Sequence, residues 1–181
     1  KEKEQESRRK HYEFQAPETW AVISIHSIAV GFGDAKVRFF FEGEKPRIIE
    51  AHNGVVLSIA TNGEHIFTGG DDGRFLKLSQ NGDIVEIANF NSRWVDSVAA
   101  YKDSMVCSSG RNVYIWSGNQ KKAKSLEHAS TVGGLAFDHT GKRLAVSSYG
   151  GVTVWERGER RWTSKRLVWK GSHSKVGFSP D

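Results

Sequence analysis

The stretch 68-TGGDDGRFLKL-78 places two acids and a glycine between small residues and an alternating apolar run. Acid-acid-glycine suits either a cation loop or a tight turn, and the rest of the chain decides between them. Similar stretches return as 33-GDAKVRFF-40, 108-SSGRNVYIW-116 and 147-SSYGGVTVW-155. Each runs from small residues through a glycine-containing turn to a large apolar residue. The closing residues are Phe40, Leu78, Trp116 and Trp155, at spacings of 38, 38 and 39. A second series, 51-AHNGVVLSIAT-61, 90-FNSRWVDSVAA-100, 127-EHASTVGGLAF-137 and 175-KVGFSPD-181, repeats at nearly the same interval. Two independent markers thus give one period near 39 residues, and a fixed period of that size decides architecture.

Within each period the apolar residues alternate, which is the pattern of half-buried strands. Asn-Gly and Asp-Gly at 62–63, 72–73 and 81–82 are strong hairpin signals, because these residues tolerate positive φ. Four short strands are predicted per unit, the last of them near 174–178. Nothing after residue 20 reads as a helix. One four-stranded sheet cannot cover both of its faces, whereas radial repetition covers them and leaves short edges. The predicted fold class is all-β: a partial β-propeller of four-stranded antiparallel blades, about three full blades plus parts of two more. A polar extension is expected over residues 1–15 and the propeller over 16–181. The blades fall near 20–50, 51–88, 89–127 and 128–170, with the start of another at 171–181.

The composition bounds the rest. The 181 residues are 38% hydrophobic, enough for a folded core. The net charge of +5 is modest, and weak as a sign of nucleic-acid binding. The single cysteine, Cys107, excludes an internal disulfide and suits a reducing, cytoplasmic setting. In the run MVC it reads as a buried, inert thiol. No apolar run approaches the ~18 residues of a membrane-spanning helix.

These residues resemble the WD-repeat family, whose units carry a Gly-His start, a Ser or Thr in the second strand, an Asp in the next turn and a Trp ending the third. His52, Thr68 and Asp72 match that pattern, with Leu78 in place of the Trp. In the next unit Ser108 and Trp116 match, Asn91 stands for His, and Gly110-Arg111 offers no acid. In the third, His128 and Trp155 match, and Tyr149-Gly150 replaces the acid. His173 looks like a Gly-His start but lies out of register. STVGGLAF, GKRLAV, WKGSH and VGFSPD look most like bacterial, alphaproteobacterial-type WD-repeat proteins of unassigned role. The resemblance implies that Asp72 accepts hydrogen bonds from His52 and the turn backbone, with Thr68 completing the network. On that reading the opening stretch is a braced turn, and where the network is incomplete Trp116 and Trp155 serve packing alone. It also implies a larger ring, because propellers use about 4–8 blades. Further C-terminal blades are therefore expected to complete it, with a ring of associated chains as the alternative.

No catalytic constellation, metal-ligand spacing or cofactor motif emerges. Acid spacing for an EF-hand is absent, as are HExxH, GxSxG and the P-loop lysine. The expected function is a non-catalytic scaffold presenting propeller-face loops to a protein or peptide partner. The candidate contacts are Arg93, Trp94, Arg111, Tyr149 and His173, since Arg, Trp and Tyr are enriched at interface hot spots. Trp94 has a second reading, as packing between blades. The run 157-RGERRWTSKRLVWK-170 also reads two ways: a protected outer edge strand, or a basic-aromatic surface for nucleic acid. A propeller enzyme, hydrolase or quinoprotein-like, rests on fold analogy alone.

Overall fold

The computed structural model describes residues 18–23, 27–118, 120–159 and 161–179. The polar extension at 1–15 lies outside them. Sixteen strands form four antiparallel sheets. The first holds β1 (Glu18–Ile23), β2 (Ile28–Phe32), β3 (Lys36–Phe40) and β4 (Arg47–Glu50). The second holds β5 (Val56–Thr61), β6 (Ile66–Gly70), β7 (Arg74–Leu78) and β8 (Ile84–Asn89). The third holds β9 (Ser97–Tyr101), β10 (Ser104–Ser109), β11 (Asn112–Ser117) and β12 (Lys124–Glu127). The fourth holds β13 (Val132–Phe137), β14 (Arg143–Ser148), β15 (Gly151–Arg157) and β16 (Trp162–Val168). There is no helix among the described residues.

The first strands of the sheets neighbour one another in sequence, β1 with β5, β5 with β9 and β9 with β13. Each sheet then runs outward to its fourth strand, as propeller blades do. The fold class is therefore as the period predicts, and among the described residues there are four complete sheets, because residues 18–23 supply the inner strand of the first. The strand predicted near 174–178 does not form: residues 172–179 carry no ladder among the described residues. They nevertheless run beside β13, since a Cβ on Gly134 would lie 3.0 Å from the Lys175 Cα.

Strand alternation explains how the sheets stack. On β6, Ile66 faces the first sheet and joins Val37, Phe39, Leu76 and Leu78 in one apolar cluster. Its neighbour Phe67 points the other way and joins Phe75, Val98, Cys107 and Trp116 in the next. A third cluster sets Val106, Val113 and Ile115 against Leu144 and Val146. All five residues of β6 are buried, whereas β16 is almost wholly exposed. Cys107 is fully buried, and burial pushes its thiol pKa up, as an inert packing residue requires.

Turn chemistry positions the loops. Gly73 sits at φ +77, which L side chains rarely adopt, and a Cβ there would lie 1.9 Å from the Asn91 carbonyl oxygen. That glycine lets the β6–β7 turn press against the β8–β9 loop. Phe75, fully buried, has its ring 6.2 Å from Phe67 in its own sheet and 5.5 Å from Trp116 in the next. Phe75→Ala should therefore destabilise the fold by about 3–5 kcal/mol, read as a lower urea midpoint. An unchanged midpoint would show that the second and third sheets do not depend on this contact.

Candidate functional site

One end of the molecule is built from two kinds of loop: the turns between second and third strands, and the connections from each fourth strand to the next sheet. Backbone bonds tie them together. In the second sheet, Phe90 N donates to Gly73 O at 2.8 Å and Val95 N to Gly70 O at 3.0 Å. In the third, His128 N donates to Arg111 O at 2.9 Å and Val132 N to Gly110 O at 3.0 Å. In the fourth, Gly150 N donates to Gly171 O at 2.8 Å and Trp169 N to Gly150 O at 3.0 Å. The face is thus a fixed frame rather than a set of independent loops.

The second sheet braces this frame further. His52 Nδ1 lies 2.9 Å from Asp72 Oδ1, and His52 Nε2 lies 2.8 Å from Thr68 Oγ1. A carboxylate can only accept, so Nδ1 carries the proton and the Thr68 hydroxyl donates to Nε2. Asp72 also accepts from the amides of Asn53 at 2.9 Å and Arg74 at 3.1 Å. Burial pushes the Asp72 carboxyl up, but the Asn53 amide, His52 and the Arg74 amide together hold it below the usual range. Burial lowers the His52 pKa and outweighs the nearby Asp72 carboxylate, which keeps the ring neutral. The acid-acid-glycine stretch is therefore a braced turn, and among the described residues no group of three metal-ligating side chains occurs.

The network does not extend to Ser108. Leu78, Trp116 and Trp155 pair with Ile66, Met105 and Leu144, so the equivalents of Thr68 are Cys107 and Val146. Ser108 stands one residue on, turned to the opposite face, and its buried hydroxyl finds no hydrogen-bond partner among the described residues. The shorter β10–β11 turn causes the offset, and a shift of one residue exchanges the two faces of a strand. Trp116 packs on Phe75 across the sheet boundary. Trp155 does more than pack: its indole donates to His128 Nε2 at 3.3 Å, with the rings edge-on at 5.9 Å. Where Val146 provides no hydroxyl, the indole meets the histidine directly. The His128 pKa is lowered by burial first, then by the positive charge of Arg166.

The recognition candidates all lie on the framed end. Arg93 and Trp94 are on the β8–β9 loop, Arg111 and Tyr149 on second-to-third-strand turns, and His173 follows β16. Trp94 is 57% exposed and Tyr149 61%, so the packing reading of Trp94 fails. The β8–β9 loop buries Val95 instead, and this turns its neighbour outward. Arg93 is also exposed. Arg111 is engaged with Glu127 at 2.7 Å, with both side chains largely in solvent. His173 is partly buried and donates to the Trp169 carbonyl at 3.2 Å.

Two carboxylates escape sequence reasoning. Asp96 lines a cavity of about 220 Å³ between β5, β9 and β13, beside Ser97, Gly133 and Lys175, and burial raises its pKa. Only its place next to the buried Val95 hints at this. Asp138, at the opposite end, is held at a pKa of about 2. Burial pushes it up, but the amide and side chain of Arg143 and the Thr140 hydroxyl overcome that. The run DHTGKR carries that signal, as an acid ahead of a Thr-Gly turn.

Comparison with known proteins agrees with this geometry. Residues 43–75 and 120–156 match the model of the WD domain, G-beta repeat. Each match runs from a fourth strand into the third strand of the next sheet. No curated protein sequence matches. Among solved structures, that of U3-55K is similar at a TM-score of 0.70 and 17% identity, covering 84% of this chain and 53% of that one. A chain in the crystal structure of the mitotic checkpoint complex is similar at a TM-score of 0.80 and 13% identity, covering 95% and 60%. The chain thus has blades like those of WD40 propellers, and it spans 53% and 60% of the length of these two chains.

The braced turn makes stability depend on pH. The folded pKa of His52 is depressed, so the unfolded chain binds the proton more readily. Its contribution is complete above the ordinary histidine pKa and is lost as pH falls from there through the folded value. Asp72 contributes above the ordinary carboxylate pKa and is lost below it. His52→Gln should lower stability at neutral pH and make the loss between about pH 7 and 5 shallower, followed by denaturant midpoints. An unchanged slope would remove His52 from the titration.

Proposed function

We propose that the chain is a non-catalytic binding platform that presents the framed loop end to a protein or peptide partner. The observation that carries this is the exposure of Trp94, with Arg93 beside it, on a loop held by backbone bonds to the neighbouring turn. A rigid aromatic anchor loses little freedom on binding, and such residues dominate interface energetics. Tyr149 supplies a second exposed ring on the same end. WD40 propellers generally mediate protein interactions, which supports the reading. The buried single thiol suits a cytoplasmic setting. The likeness to longer structures supports further blades completing the ring.

Replacing Trp94 with a photo-crosslinking phenylalanine tests the platform in host cells. A discrete protein should be captured from position 94 and not from exposed Ile84 on the outer strand β8. Arg93→Ala should reduce the yield several-fold while changing stability by less than about 0.5 kcal/mol. Capture no greater than at Ile84, together with turnover of a small substrate, would overturn the reading. Unfolding of Trp94→Ala would assign that ring to the core.

A further inference from the structure

We propose that Asp96 receives the guanidinium of an arginine side chain of the partner, in the cavity where β5, β9 and β13 begin. This rests on the platform reading above and names the chemistry of one contact within it. Asp96 directly precedes β9 and lines the cavity of about 220 Å³ together with Ser58, Ser97 and Ser174. The strands on either side of β9 are β5 and β13, and both are in place. The surroundings of Asp96 are therefore set by sheets already present and do not wait on further blades.

The carboxylate lacks a partner. Its one hydrogen bond comes from its own amide, and no ion pair reaches it among the described residues. Lys175 lines the same cavity and Arg93 lies on the same loop, yet neither lowers the Asp96 pKa, which burial raises. Other carboxylates drawn into the fold are served. Asp72 accepts from two amides and lies against His52, and Asp138 accepts from Arg143 and Thr140. A half-buried charge with no answering group costs stability. A perturbed carboxyl that faces a cavity is a candidate for binding.

Charge and shape choose the occupant. A carboxylate selects a cation. A metal ion needs several ligands, and no three metal-ligating side chains come together among the described residues. A guanidinium suits the site better, because it only donates, from a fixed fork, and the cavity offers carboxylate and hydroxyl oxygens to accept. It is also more weakly hydrated than an ammonium, so it gives up water more readily on entering a half-buried site. Trp94 stands two residues before Asp96, a Cα separation of at most about 7 Å. Its exposed ring offers a face on which the same side chain can stack.

The probes are N-acetyl-arginine methylamide, its lysine analogue and its neutral citrulline analogue, titrated into the chain and followed by amide NMR shifts. The arginine probe should saturate with a Kd below ~10 mM, moving the amides of Asp96, Ser97 and Gly133. The citrulline probe, and the arginine probe on Asp96→Asn, should bind about tenfold more weakly or worse. Asp96→Asn keeps the shape and removes an unanswered charge, so its thermal midpoint should not fall. The citrulline comparison on the unaltered chain reads the same charge without any substitution. No saturation of the arginine probe up to ~10 mM, or lysine or citrulline binding as tightly as arginine, would overturn the proposal. In host cells, Asp96→Asn should cut crosslinking from position 94 several-fold. Undiminished crosslinking would sink the arginine site and leave the platform standing, whereas charge-dependent arginine binding with no capture from position 94 would sink the platform reading alone.

Discussion

A sheet set between two others must have both faces covered, and the rest of the structure follows from how that is met. A middle strand such as β6 has apolar side chains pointing both ways, Ile66 to one neighbour and Phe67 to the other. Removing apolar surface from water is the main driving force of folding, and neither face can be left to solvent. Stacking sheets side by side around their first strands satisfies both faces at once. The outermost strands have no such demand, and they carry the charge and the exposure.

Stacking alone would leave the loops loose, and hydrogen bonding fixes them. Each sheet closes its outer connection onto its own central turn through backbone amides. The second sheet adds a buried His-Asp-Thr network, and the fourth replaces it with a direct indole-to-imidazole bond. A fully paired buried network rigidifies its surroundings. The braced turn therefore belongs to the scaffold, and the frame leaves Trp94 and Tyr149 exposed outside it. Trp94 is exposed because its neighbour Val95 is buried, a division that places a large ring in water at a fixed point.

Period, strand alternation and Asn-Gly or Asp-Gly turns are local properties, and the chain by itself determined an all-β repeat with a unit near 39 residues. The placement of His52, Thr68 and Asp72 was legible too, because all three lie within one unit. Tertiary structure decided what depends on register and on neighbours. A shortened turn put Cys107, not Ser108, opposite Tyr114, and the motif alone could not show this because one residue exchanges the faces of a strand. Val146 sent the Trp155 indole to His128. Burial of Val95 freed Trp94, and the strands on either side of β9 drew Asp96 half out of water. Each of these outcomes rests on which atoms meet across sheets and loops, and residues distant in sequence come together only when the sheets stack.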